Sequence, residues 1–363
     1  MEDDARAWAA LGLYDPEARY ADDRLATLRY LAERGATTAD LEAGVASGNL
    51  YAVMAELARR RPGSTLEGLV ERSGVSLPLA RQLLRAAGLG DPAPDDASFV
   101  DADVETFRLA AAAVELFGLE STLQTTRVIG ASLANIADAA QTNFGQSVGD
   151  APVEGRELAL TQAADVANGL LFEAVPAVLG SLFVHHAAAM SRRALSTGSA
   201  DTSDLTVGFL DLVGSTALAQ RLSAAELGRA ISGFERDATE QLTACDGRVV
   251  KTIGDEVMFV GTDAARACEA ALDLAARVAD DPVLPRLRGA LAAGPLVRGY
   301  GDYYGPFVTT AARAVKLAEP GAVLVTDEVR RRAESSSVAF APFGEHTLRG
   351  FEHPVALFRV HRP

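Results

Sequence analysis

The sequence predicts an α + α/β chain: an all-α N-terminal half followed by a mixed α/β half. Three observations carry that expectation. The chain has 363 residues, about twice the length of a common single domain. Apolar residues recur three and four apart up to about Leu195, whereas beyond it short apolar runs alternate with helical stretches. Between the two lies Ser196-Thr197-Gly198-Ser199-Ala200-Asp201-Thr202-Ser203-Asp204, small and polar like a linker. The expected boundaries are 1–195 for the helical part, 196–204 for the linker and 205–363 for the α/β part.

Composition narrows the classes of function. With 48% hydrophobic and 23% charged residues the chain can bury a sizeable core, which excludes wholesale disorder. A formal charge of −15 argues against a protein that grips nucleic-acid phosphates. Two cysteines, Cys245 and Cys268, make no disulfide scaffold and fit a reducing compartment. Met1-Glu2-Asp3-Asp4 lacks the basic-then-apolar start of a signal peptide. Gly169 to Val184 is the most apolar stretch, yet Glu173 and Pro176 interrupt it and it is short for a span. A cytoplasmic protein without a membrane span is expected.

In the first half, helices are expected between breaks at Arg61-Pro62-Gly63, at Gly90 to Pro94 and around Gly145 to Gly155. In the second half, Leu205–Leu210 reads as a strand and Ala224–Ala244 as an amphipathic helix. Arg248–Thr252 and Glu256–Val260 read as paired strands around Ile253-Gly254-Asp255. A helix over Asp263–Ala279, a strand over Leu287–Leu296 and a helix from about Val308 follow. Ala322–Thr326, Val338–Phe343 and Ala356–Val360 close the chain as strands, completing an α/β sandwich.

Two aspartates stand out. Asp211 ends the apolar strand Val207-Gly208-Phe209-Leu210, and Asp255 sits in the turn of Lys251-Thr252-Ile253-Gly254-Asp255. Singly, they read equally well as a helix cap and a turn former. Together, a carboxylate at a strand end and one at a hairpin tip can converge as hard oxygen ligands for Mg²⁺ or Mn²⁺. The backbone N–H groups of Val213, Gly214, Ser215 and Thr216, leading into a helix, offer a seat for a triphosphate. No Gly-Lys-Ser/Thr phosphate loop and no zinc-ligand spacing compete with that reading.

These segments resemble the class III nucleotidyl cyclases. Phe209-Leu210-Asp211-Leu212-Val213-Gly214-Ser215 is similar to that family's Phe-x-Asp segment, and Lys251 to Asp255 to its Lys-x-x-Gly-Asp. Asp302-Tyr303-Tyr304-Gly305-Pro306-Phe307-Val308-Thr309-Thr310-Ala311-Ala312-Arg313 resembles Asp-x-x-Gly-x-x-Val-Asn-x-Ala-Ala-Arg. The ending Leu348-Arg349-Gly350 through Phe358 is also similar, so the resemblance covers roughly residues 204–363.

The resemblance implies a ferredoxin-like catalytic domain and a head-to-tail homodimer with active sites shared between its copies. Asp211 and Asp255 of one copy would hold two metal ions per site, Mg²⁺ or Mn²⁺. The other copy would present Lys251 and Asp302 to the base, and Arg313 would steady charge developing on the transferring phosphate. A lysine donates to adenine N1 and a carboxylate accepts from the exocyclic amine, whereas guanine reverses both groups, so ATP is the expected substrate. The expected activity is adenylate cyclase, a phosphorus–oxygen lyase that turns ATP into cyclic AMP and pyrophosphate. Thr309 departs from the family's ribose-orienting asparagine; one lost transition-state hydrogen bond costs about 1–3 kcal/mol. A protein that binds ATP without turnover is therefore the alternative. Arg349 is a candidate for the outer phosphates and equally a surface charge.

The helical half has no motif as specific, and the same family offers helical regulatory domains ahead of the cyclase. Ser64 to Leu89 can form a helix-turn-helix with Arg72, Arg81 and Arg85 facing phosphates, which leaves a DNA-binding regulator as a further alternative. The apolar helix from Gly169 to Leu195 reads first as a dimer contact, with a lipid pocket as the other use. His185 and His186 within it are either a pH switch or ordinary helix residues.

Overall fold

The computed structural model describes residues 2–60, 63–148, 153–197, 202–333 and 337–363. It divides into two compact units, Met1–Met190 and Ser191–Pro363. Of the expected linker, residues 198–201 lie outside the described ones. Residues 196–197 continue a helix, and Thr202, Ser203 and Asp204 already belong to the first strand, paired with Val297, Leu296 and Pro295.

The first unit is built from α1 (Glu2–Ala10), α2 (Ala21–Glu33), α3 (Thr38–Ala46), α4 (Ala52–Arg59), α5 (Leu66–Ser73), α6 (Leu77–Ala86), α7 (Asp101–Phe117), α8 (Leu119–Val148), α9 (Glu157–Gly169) and α10 (Val175–Thr197). Local chemistry sets many of the ends. Thr37, Thr65 and Ser76 accept from the third backbone N–H of α3, α5 and α6. Gly74 stops α5 in a left-handed conformation, φ 74°. One core gathers Leu28, Leu31, Leu41, Val53 and Met54 with Ala164 of α9. The other gathers Leu69, Val75, Leu83, Val104 and Phe107 with Leu123 of α8. Arg24 donates to both carboxylate oxygens of Glu157, at 2.5 and 2.6 Å, and so clamps α2 to α9.

The expected helix-turn-helix shape forms at α5 and α6, with two of its three arginines drawn into ion pairs and Arg81 exposed. Arg72 pairs with Asp101 and Arg85 with Asp91, each at 2.5 Å. Those two pairs weaken the DNA-binding alternative by engaging two of its three phosphate-facing candidates.

A π turn, Leu170–Ala174, joins α9 to α10. Pro176 explains its place: lacking an N–H and crowding the carbonyl four residues earlier, proline disturbs the turn before it. The expectation that this stretch is too short for a span needs correction. Through the π turn, Glu157–Arg192 runs as a single 36-residue helix; its α9 start packs into the unit's core, and its most apolar 18-residue window, of mean hydropathy 1.6, is unburied. Among the described residues it is the helix long and apolar enough to cross a membrane.

The second unit carries an eight-stranded sheet in the order β2-β3-β1-β4-β6-β8-β7, with β5 paired to β4. Its elements are β1 (Thr202–Leu212), α11 (Ser215–Arg221), α12 (Ala224–Ala244), β2 (Arg248–Ile253), β3 (Glu256–Gly261), α13 (Ala264–Ala279), β4 (Leu287–Gly299), β5 (Asp302–Tyr304), α14 (Pro306–Ala314), a 3₁₀ turn (Val315–Leu317), β6 (Val323–Thr326), α15 (Asp327–Arg332), β7 (Ala339–His346) and β8 (Val355–His361). The first four strands, antiparallel and ordered 2-3-1-4, form the ferredoxin-like βαββαβ unit. Strand β6 extends it in parallel to β4.

Both faces of this sheet are covered. On one, Phe234 and Leu242 of α12 and Leu274 of α13 pack over Leu210, Phe259 and Leu291. On the other, Ala311 and Ala314 of α14 meet Val207, Leu296 and Leu324. Gly208 must be glycine, because a Cβ there would lie 2.2 Å from the Phe259 ring. Cys268 is buried in the first core and unpaired; burial pushes its thiol up to about 12.

Candidate active site

Asp211 reaches its position because β1 runs buried through the centre of the sheet and ends at Leu212. It lies opposite Glu256 on β3 and Arg288 on β4. The Leu212 N–H donates to the Asp255 carbonyl at 3.3 Å, which holds the β2–β3 turn beside the end of β1. Asp211 and Asp255 are thus brought to adjacent chain ends, as the spacing predicts.

The charge around Asp211 was not legible in the sequence. Its Oδ2 accepts from Arg288 Nε at 2.8 Å, Arg288 Nη2 at 2.5 Å and Lys316 Nζ at 3.1 Å. Lys316 also donates to Glu256 Oε2 at 2.9 Å. The lysine is raised from its ordinary value: partial burial opposes this, but the bonds to Glu256 and Asp211 outweigh it. Arg288, Glu256 and Lys316 were all missed as site residues. The one available signal was the rarity of lysine, since Lys251 and Lys316 are the two lysines in the chain.

This set fits a divalent cation. Asp211 is buried at 5% exposure and already draws two cationic side chains, all on one oxygen. The side chain of Asp255, half-buried, has no hydrogen-bond or ion-pair partner among the described residues, so its carboxylate oxygens are open as hard donors. No cluster of three or more His, Cys, Asp or Glu ligands occurs among the described residues, so substrate or water oxygens would complete any coordination.

Lys251 and Asp302 form a second cluster. A register shift in β2 between Val249 and Lys251 is a bulge, which re-aims the strand's side chains. Asp302 starts β5 after a two-residue hairpin in which Tyr300 and Gly301 both take positive φ, 51° and 86°. Lys251 Nζ is ion-paired to Asp302 Oδ2, and the other carboxylate oxygen accepts from the Tyr303 N–H at 2.8 Å. Tyr303 is buried with the Arg248 guanidinium 5.4 Å from its ring centre, while Tyr304 is exposed.

The expected phosphate seat is corrected at one position. The Val213 N–H is donated to the Arg286 carbonyl at 2.9 Å and is not available to a ligand. Gly214, at φ 83°, caps α11, and the N–H groups of Gly214, Ser215 and Thr216 have no recorded acceptor among the described residues. Thr309 and Arg313 lie one turn apart on α14. The Thr309 hydroxyl donates to the Gly305 carbonyl at 3.4 Å, and Arg313 sits 5.5 Å from the Phe351 ring centre beside Gly350. Arg349 is exposed on the same turn. His185 and His186 are both exposed on α10, so neither is a core residue of its unit.

A ferredoxin-like sheet with paired carboxylates at adjacent strand ends and a lysine–aspartate ion pair drawn from two hairpins has the organisation of a class III nucleotidyl cyclase. The adenylate cyclase regulatory domain family matches residues 8–191. An adenylate cyclase of Streptomyces coelicolor is 33% identical over 70% of this chain and 67% of its own length. A pH-sensitive adenylate cyclase of Mycobacterium tuberculosis is 32% identical over 80% of this chain and 76% of its own. The solved adenylyl cyclase CyaB from P. aeruginosa, 22% identical, covers 45% of this chain and 97% of its own, with a TM-score of 0.41. The chain belongs to the adenylate cyclase family, an enzyme with a helical regulatory domain ahead of its cyclase domain.

Proposed function

We propose that this chain converts ATP to 3′,5′-cyclic AMP and pyrophosphate at sites shared between two copies of itself. The observation that carries the choice of ATP is the Lys251–Asp302 pair. An ammonium that only donates stands beside a carboxylate that only accepts, complementary to adenine N1 and its amine and opposed to guanine. Asp211 and Asp255 would hold Mg²⁺ or Mn²⁺, two ions per site, which when bound acidify the ribose 3′-hydroxyl and neutralise the departing pyrophosphate. Gly214, Ser215 and Thr216 donate backbone N–H groups to the phosphates. Arg313 steadies charge gathering on the transferred phosphate, and Thr309 offers the ribose a single hydroxyl.

The second copy enters this reading through the resemblance to the class III nucleotidyl cyclases; among the described residues the Asp211 cluster and the Lys251–Asp302 cluster are each ion-paired internally, so they can act on one nucleotide from different copies. The same copy covers the apolar faces of α8 and α10, where Ile129, Leu133, Leu182 and Phe183 are exposed. In this reading the long apolar helix is a dimer contact of a cytoplasmic protein, supported by its exposed apolar side chains. His185 and His186, both exposed on this helix, are the candidates for a pH switch that moves the helical dimer between restrained and active arrangements.

The test is cyclic nucleotide formation by the full chain with ATP or GTP and Mn²⁺ across mildly acidic to mildly basic pH. Cyclic AMP from ATP alone supports the reading; ATP binding without product leaves a silent sensor. Mixing Asp211→Asn with Lys251→Ala chains, each inactive alone, restores about a quarter of wild-type activity if sites are shared in a two-fold dimer. Replacing both histidines by alanine flattens the pH profile; an unchanged profile removes the switch.

A further inference from the structure

Lys316 stands where a metal ion's charge is needed. Its ammonium lies 3.1 Å from Asp211 Oδ2 and 2.9 Å from Glu256 Oε2, and Glu256 directly follows Asp255. Two cations share Asp211, but they are unlike. Arg288 approaches with two nitrogens from the neighbouring strand, and its side chain is 22% exposed. Lys316 approaches with one, from the 3₁₀ turn after α14, and its side chain is 54% exposed. A rigid two-point contact is built to stay. A single ammonium on a four-carbon stem open to water can leave, and Glu256 offers it a second carboxylate to hold.

We propose that Lys316 is a tethered counter-ion for the metal-binding carboxylates: it occupies Asp211 before metal arrives and retreats toward Glu256 when metal binds. It thereby sets the metal affinity of the site. It also ties the metal carboxylates to the segment that carries Thr309 and Arg313, since the 3₁₀ turn continues α14 without a break. Lys316 is a positioning residue in this scheme, and the inference rests on the assignment of Asp211 and Asp255 as metal ligands.

The test is titration of the full chain with Mn²⁺ alone, followed by electron paramagnetic resonance of free Mn²⁺, with thermal unfolding measured in parallel. Lys316→Met and Lys316→Gln remove the competing charge and tighten Mn²⁺ binding about tenfold, while lowering the midpoint of unfolding in the absence of metal. Lys316→Arg keeps a fixed cation and leaves binding at the wild-type level or weaker. Unchanged or weaker Mn²⁺ binding in both neutral variants, with circular dichroism like wild type, overturns the proposal. Asp211→Asn separates the two failures: if it retains full Mn²⁺ binding, the metal assignment itself is wrong; if it loses binding while the Lys316 variants match wild type, only the counter-ion role is wrong.

Discussion

The two units solve the burial problem differently. The sheet unit covers both of its faces with its own helices, and its apolar strands β3 and β6 are almost wholly inaccessible. The helical unit packs two small cores but leaves α8 and α10 with apolar side chains in water, Phe183 at 73% exposure. A helix is stabilised mainly by packing its apolar face, so these helices are incomplete as single-chain objects. The contrast teaches that the sheet unit satisfies its own apolar surface, while the helical unit leaves apolar surface open for something else to cover.

The largest effect expected on this comparison comes from the sheet unit. Asp255→Asn removes a carboxylate without a recorded partner, so activity falls by about a thousandfold or more while thermal unfolding is unchanged. Asp211→Asn loses activity equally but also lowers the unfolding midpoint, because Arg288 and Lys316 lose their shared charge partner. Equal stability of the two variants would break the distinction between an open ligand and a buried hub.

Next comes the helical unit. Phe183→Glu or Ile129→Glu places charge on the exposed apolar face and dissociates the dimer in sedimentation analysis. Activity then falls about a hundredfold at a fixed chain concentration, with the far-ultraviolet spectrum retained. A monomer that keeps full activity would show that the sheet unit is complete alone. A smaller and opposite change is expected for Thr309→Asn, which restores an amide able to donate and accept and raises kcat about tenfold.

The smallest effect is electrostatic. The Arg60 guanidinium beside Asp40 holds its carboxyl well below the usual carboxylate range; burial opposes this, and the Thr37 hydroxyl and N–H add to it. A depressed carboxylate stabilises the fold above its unfolded pKa, near 4, and that contribution disappears as pH falls toward the folded value. Asp40→Asn therefore costs the helical unit about 1 kcal/mol at neutral pH, given that Arg60 is partly in water. The deficit, read from urea unfolding at a series of pH values, shrinks below about pH 4.

The sequence by itself determined what depends on neighbours along the chain. The helix Ala224–Ala244 is found with its expected ends, because Ser223 and Glu226 form a capping box ahead of an amphipathic run. The strands on either side of Asp255 and the carboxylate at the end of β1 were equally legible, since alternation and turn chemistry act within a few residues. Strand β5 and helix α15 were not, at three and six residues too short for a period to register.

Only the tertiary structure decided what depends on distant segments meeting. Arg288 and Lys316 lie 77 and 105 positions from Asp211 and reach it only once β4 and the turn after α14 are folded against β1. The Val213 N–H was claimed by Arg286 in the same way. The interrupted apolar stretch became one long helix because a π turn absorbed the proline. Short-range pattern specifies elements; the partners of a buried charge are set by which strands and turns the whole sheet brings side by side.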